Sequence, residues 1–151
     1  MTASSSPSTR PAVSGVGRVL VVVYAILALA ATGRSFYQIV SKFEEAPVAY
    51  SLSAVAAVVY IVATIALVVP GERWRRIAIA TIGFELLGVL VVGVLSLTAR
   101  DLFAHPSVWS GFGVGYLFIP LVLPVLGLLW LTRGRRAAPA DAVDREDVRH
   151  A

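Results

Sequence analysis

The residue best able to do chemistry in this chain is Glu85, an acid embedded in the apolar run Ile77–Leu95. A charged carboxylate in such surroundings costs at least a few kcal/mol at the centre of a bilayer. Glu85 must therefore be protonated, paired, or open to water. Counting about 1.5 Å per residue from Ile77 puts it roughly 12 Å into its block. The same ruler, run from the same end of the molecule, puts Tyr60 at about 13 Å and Pro124 at roughly 10 Å. Pro124 has no N–H to give to the Pro120 carbonyl, which leaves that oxygen open. The expected arrangement is a neutral Glu85 donating a hydrogen bond to Tyr60 or to that carbonyl. Such a group either locks helices together or relays protons or cations. No second buried acid or base accompanies it, which favours the lock.

A second candidate region is the segment Ala99–Phe112, where Leu102, Phe103, Val108, Trp109 and Phe112 make a connection unusually apolar. It is expected to rest on the membrane interface or to cap the bundle. Phe103, His105 and Trp109 form its candidate contact surface. His105 is the only histidine outside the C-terminal tail, and metal sites need three or four donors. Asp101, Glu44 and Glu45 show no ligand spacing around it. Arg34 is expected to snorkel to headgroups in preference to pairing with Glu44 or Glu45.

Other chemistry is excluded by absence. The chain has no cysteine, so it has no disulfide, thiolate metal site or Cys nucleophile. It contains no phosphate-binding, dinucleotide, nucleophile-elbow or zinc-protease motif. Gly111-Phe112-Gly113-Val114-Gly115 enters an apolar block with no lysine behind it. The chain is not expected to be an enzyme or to carry a cofactor.

The elements that must position these residues follow from composition. Of 151 residues 58% are hydrophobic and 15% charged, against about 25% charged in a soluble domain. The excess is gathered into blocks of about twenty residues, the length that crosses roughly 30 Å of hydrocarbon as a helix. The blocks are apolar all round, which fits helices and not the alternating strands of a barrel. Four spans are expected, at about 17–40, 48–69, 77–98 and 113–131, between disordered tails at 1–16 and 132–151. The fold class is thus an all-α membrane protein, a four-transmembrane-helix bundle. Arg10, Arg18 and Ala28-Leu29-Ala30 also fit a cleaved signal peptide, but the apolar pattern runs on to Val40. An uncleaved first helix is expected.

Four spans put ten basic residues on the side of both termini and three, Arg34, Lys42 and Arg100, on the other. Both termini are therefore expected in the cytoplasm. The net charge of +4 belongs to these span ends, so the implied partners are the lipid bilayer and other membrane proteins or further copies of the chain, not nucleic acid. Trp74 and Trp130 fall at the cytoplasmic boundary, and Tyr37, Tyr50 and Trp109 at the outer one. Small and polar residues mark candidate packing seams. They are Ala25, Ala28, Thr32 and Ser35; Ser53, Ala57, Tyr60 and Thr64; Thr81, Glu85, Gly88, Val92 and Ser96; and Gly113, Tyr116, Pro120, Pro124 and Gly127.

With arginine far outnumbering lysine, Gly33-Arg34-Ser35 following the first span and His105-Pro106-Ser107-Val108-Trp109 preceding the fourth, the chain resembles the small, mostly uncharacterised four-helix membrane proteins of high-GC Gram-positive bacteria. The resemblance covers residues 17–131. It implies a plasma-membrane location and no activity. Small multidrug-resistance transporters share four short helices and one membrane glutamate. Theirs lies in the first helix, whereas Glu85 lies in the third.

Overall fold

The computed structural model describes residues 15–103 and 105–133, which are helical apart from short connections and contain no strand. Water cannot satisfy backbone groups inside a bilayer, so each apolar run closes its own hydrogen bonds as a helix. Helix α1 is Gly15–Lys42, α2 is Pro47–Val68 and α3 is Glu72–Thr98. All three are long and apolar enough to cross a membrane. The expected tails lie outside the described residues, except that Gly15, Val16, Thr132 and Arg133 are helical.

Pro47 opens α2, a position where the missing N–H leaves no bond unmade. The helix stops before Pro70-Gly71, and Gly71 turns the chain at φ 127° and ψ 151°, backbone angles that only glycine adopts readily. Helix α3 starts at once. Arg73, Trp74, Arg75 and Arg76 therefore lie on its first turns, ahead of the start expected at about 77. Glu72 holds this start together by accepting from the guanidinium groups of Arg75 (3.1 Å) and Arg76 (3.3 Å), the spacing at which helical side chains meet.

The fourth expected span, 113–131, is corrected by the structure. It is broken in two: a 3₁₀ segment, Ser110–Tyr116, and a helix, α4, of Ile119–Arg133, bent by 98° from one another. Helix α4 has only 15 residues, about 22 Å of rise. The break is built into the glycines. Gly111, Phe112 and Gly113 are left-handed at φ 56°, 60° and 79°, and Leu117 and Phe118 follow at 55° and 59°. Each non-glycine in that region costs roughly 1–2 kcal/mol. Irregular backbone inside a membrane protein survives only where other groups satisfy it. Here Gly111 N–H donates to Ser96 Oγ (2.8 Å), Ser107 N–H to Ser110 Oγ (2.9 Å) and Phe118 N–H to the Gly113 carbonyl (3.1 Å).

The helices form an arc. Helices α1 and α2 share the most extensive contact, α2 packs on α3, and α3 packs on α4 and the 3₁₀ segment. Helices α1 and α4 barely touch. Gly15, Arg75 and Arg133 gather at one end, here the arginine end, where Arg75 Nη1 donates to the Leu131 carbonyl (2.7 Å). Lys42, Glu45 and His105 mark the other, the loop end. The seams expected on α3 and α4 face inward: Glu85 and Val92 are buried, as are Pro120, Pro124 and Gly127. On α2, Ser53, Ala57 and Tyr60 are buried and Thr64 partly so. The α1 seam is displaced. Ala28 and Ser35 are buried, but Thr32 is exposed and Ala25 half-buried, and Tyr24 and Ala31 take the inward positions.

Glycine spacing on α3 serves the inserted loop. A Cβ on Gly88 would lie 2.7 Å from the Trp109 ring, and one on Gly93 would lie 2.5 Å from Phe112. A Cβ on Gly83 would meet nothing within 4 Å. Gly88→Ala should therefore destabilise the protein by about 1–3 kcal/mol through overpacking. Gly83→Ala should be neutral or slightly stabilising. Thermal unfolding of the two variants in detergent measures the contrast.

Candidate functional site

Four residues, each from a different element, meet in the middle of the bundle. Helix α1 supplies Tyr24, α2 Tyr60 and α3 Glu85, and the 105–109 loop supplies Trp109. None is more than 2% exposed. Tyr24 reaches inward because Leu20, Tyr24, Leu27, Ala28 and Ala31 form one buried stripe on α1. Its hydroxyl donates to Glu85 Oε2 at 2.7 Å. The Trp109 indole N–H donates to the Tyr60 hydroxyl at 3.2 Å. The two tyrosine rings join these bonds into one cluster, with centroids 6.2 Å apart and planes tilted by 55°.

The partner expected for Glu85 is thus corrected. Glu85 does not donate to Tyr60 or to the Pro120 carbonyl; it accepts from the Tyr24 hydroxyl. Tyr60 is committed to Trp109. Pro124 is buried in α4. The sequence held a signal for Tyr24: about 1.5 Å per residue from Gly17 puts it roughly 10 Å deep, level with Pro124. Choosing the seam by small residues passed over it.

Trp109 is also corrected. Its ring is not at an interface but 2% exposed, lying over Gly88 with an edge toward Phe84 (6.4 Å). Gly88 is about 15 Å from the end of α3 at Thr98 by helical rise. The loop therefore enters the bundle and lids the cluster. Tyr50 is likewise buried, at 2% exposure, while Tyr37 remains exposed.

The other loop residues stay near the surface. His105 is exposed, with Nε2 3.4 Å from Glu45 Oε2 and its ring stacked on Tyr50 (centroids 6.1 Å, 26°). Glu45 also meets Lys42 Nζ at 3.4 Å. Phe103 is half-buried against Ala46, Ala49 and Tyr50. Arg34 does not snorkel away: its Nη2 donates to the Pro106 carbonyl at 2.8 Å. This bond joins Gly33-Arg34-Ser35 to His105-Pro106-Ser107, two segments far apart in sequence, and ties the loop to α1. Beside it, Arg34 Nε, Ser35 Oγ and Gln38 Oε1 are buried with no hydrogen-bond partner among the described residues.

Chemically, the central cluster offers one carboxyl group with one oxygen held by a donor. The other, Oε1, is buried with no partner. No counter-charge reaches it by hydrogen bond or ion pair among the described residues. A buried anion needs more support than this. Interhelical hydrogen bonds in membranes average about 0.6 kcal/mol, while a buried polar atom left unpaired costs about 1–3 kcal/mol. Tyr24→Phe should therefore lower stability by about 1–2 kcal/mol. Little further loss should follow when Glu85→Gln is added, because Glu85 has then already lost its donor. A double-mutant cycle by thermal unfolding measures that coupling. No family, curated protein or solved structure matches the chain.

Proposed function

We propose that the chain is a multi-pass protein of the plasma membrane that acts as an accessory or scaffold protein, binding other membrane proteins or lipid, and that it is not an enzyme. The burial of Glu85 carries this reading. The one acid inside the spans is fully enclosed, bonded to Tyr24 of another helix and lidded by Trp109. In this reading it is a neutral hydrogen-bonding lock, and its chemistry is spent on holding the bundle together. The surfaces left for partners are the lipid-facing helices and the loop end, where His105, Phe103 and the Lys42–Glu45 turn lie.

Both termini are proposed to be cytoplasmic. Arg18, Arg73, Arg75, Arg76 and Arg133 lie at the arginine end, with Glu72 as its one described acid. Arginine-rich ends stay on the side of synthesis. The resemblance to small four-helix membrane proteins of high-GC Gram-positive bacteria implies the plasma-membrane location.

One observation favours a second reading, a small oligomeric transporter or channel with Glu85 as its coupling site. The unpartnered Oε1 is an oxygen to which a proton or cation could bind.

Two measurements separate the readings. Purified protein in liposomes should carry no proton-linked flux above that of Glu85→Gln; flux that the substitution abolishes would establish the transporter. Affinity purification from native membrane should recover a stable membrane partner, and the exposed-loop change His105→Ala should weaken its recovery several-fold. Reporter fusions at both ends should read cytoplasmic.

A further inference from the structure

Helices α1 and α4, which barely touch, leave an open seam of about 800 Å³ at the arginine end. Its walls are Val19, Leu20 and Val23 of α1 and Val122, Leu123 and Leu126 of α4. Leu20 and Leu123 are buried and form the floor, while Val19, Val122 and Leu126 are exposed along the rims. The size lies within the roughly 300–1,000 Å³ of ordinary ligand sites. Glu85 and Tyr24 are not part of the lining, so this site is separate from the polar cluster.

The groove is apolar along its length and basic at one end. Trp130 and Arg133 line its mouth, next to Gly15 and Val16. Arg133 forms no ion pair with any described residue, whereas Glu72 is held by Arg75 and Arg76. A ligand fitting this arrangement is a hydrocarbon tail carrying an anionic head. The tail lies along the valines and leucines, and the head meets the Arg133 guanidinium group at headgroup depth, where an indole ring is also favoured. By rise, Ile119 to Arg133 covers about 21 Å, more than the roughly 15 Å of one hydrocarbon leaflet.

We infer that the α1–α4 groove is a binding site for an anionic phospholipid, with an acyl chain in the groove and the phosphate on Arg133. The inference rests on the lipid- or protein-binding role proposed above and names the ligand of one surface. The lipid fills the seam that the short, broken fourth span leaves open, and so completes the ring of helices.

The test uses the full chain in detergent, incubated with vesicles of equal phosphatidylglycerol and phosphatidylcholine and read by native mass spectrometry. Phosphatidylglycerol should be retained preferentially. Arg133→Ala should reduce that preference about fivefold, since one basic residue contributes about 1 kcal/mol toward anionic lipid. Val122→Trp, at an exposed rim position, should displace both lipids while leaving the melting temperature near that of the parent. Equal retention of the two headgroups by the parent chain would overturn the inference, as would retention that Val122→Trp does not change. So would a dimer that Val122→Trp converts to monomer, since a second copy would then occupy the groove. Lost lipid selectivity with a protein partner still co-purifying would sink this inference alone. Retained selectivity with no partner would sink only the protein-scaffold role.

Discussion

A carboxyl group inside a membrane protein must find its hydrogen bonds within the protein, because no solvent is there to supply them. Glu85 is where this chain meets that constraint. The Tyr24 hydroxyl ties α3 to α1 through it. The ring of Tyr24 lies against Tyr60, which brings in α2. Tyr60 in turn accepts from Trp109, which brings in the loop before α4. Satisfying one acid thus sets the mutual position of three helices and one connection. In lipid, where burial of apolar surface gives helices no reason to associate, such directional contacts and close packing must do so.

The inserted loop explains why the last span is irregular. A tryptophan that reaches the middle of the bundle must enter from the loop end, and the chain must then turn back into α4. That reversal needs left-handed backbone, which Gly111 and Gly113 adopt at little cost and Phe112, Leu117 and Phe118 adopt under strain. The strain is held by contacts specific to this fold: Phe112 over Gly93, the Pro120 ring against Gly113, and Ser96 Oγ accepting from Gly111 while donating to the Gly93 carbonyl. At the loop end, Arg34 fixes the same loop through the Pro106 carbonyl.

The helical class and the first three spans were legible because uninterrupted apolar runs of that length have one backbone solution in lipid. The inward faces of α3 and α4 were legible for a related reason. Glu85, Pro120, Pro124 and Gly127 are polar, small or irregular residues at helical spacing, and lipid does not favour them. The face of α1 was read one position off, because a rule that prefers small residues selects Ala25 over Tyr24, and only the tyrosine can reach an acid on another helix. The place of Trp109 was not legible at all. A tryptophan beside a span ordinarily joins the interfacial belt. Its burial here depends on Gly88 lacking a side chain and on Tyr60 offering an oxygen, a pairing between distant segments that periodicity does not encode. The broken fourth span was hidden likewise: its composition reads as a helix, and only the tertiary demand of the inserted loop bends it.

The depth and enclosure of Trp109 are what hold these contacts together, and tryptophan fluorescence reports them directly. In a chain carrying Trp74→Phe and Trp130→Phe, Trp109 is the only indole left. Reconstituted in bilayers, it should emit at short wavelength and resist quenching both by aqueous acrylamide and by headgroup-level lipid probes. Emission at the wavelength of an interfacial tryptophan, quenched by headgroup-level probes, would place the loop on the membrane surface and contradict the sealed polar cluster beneath it.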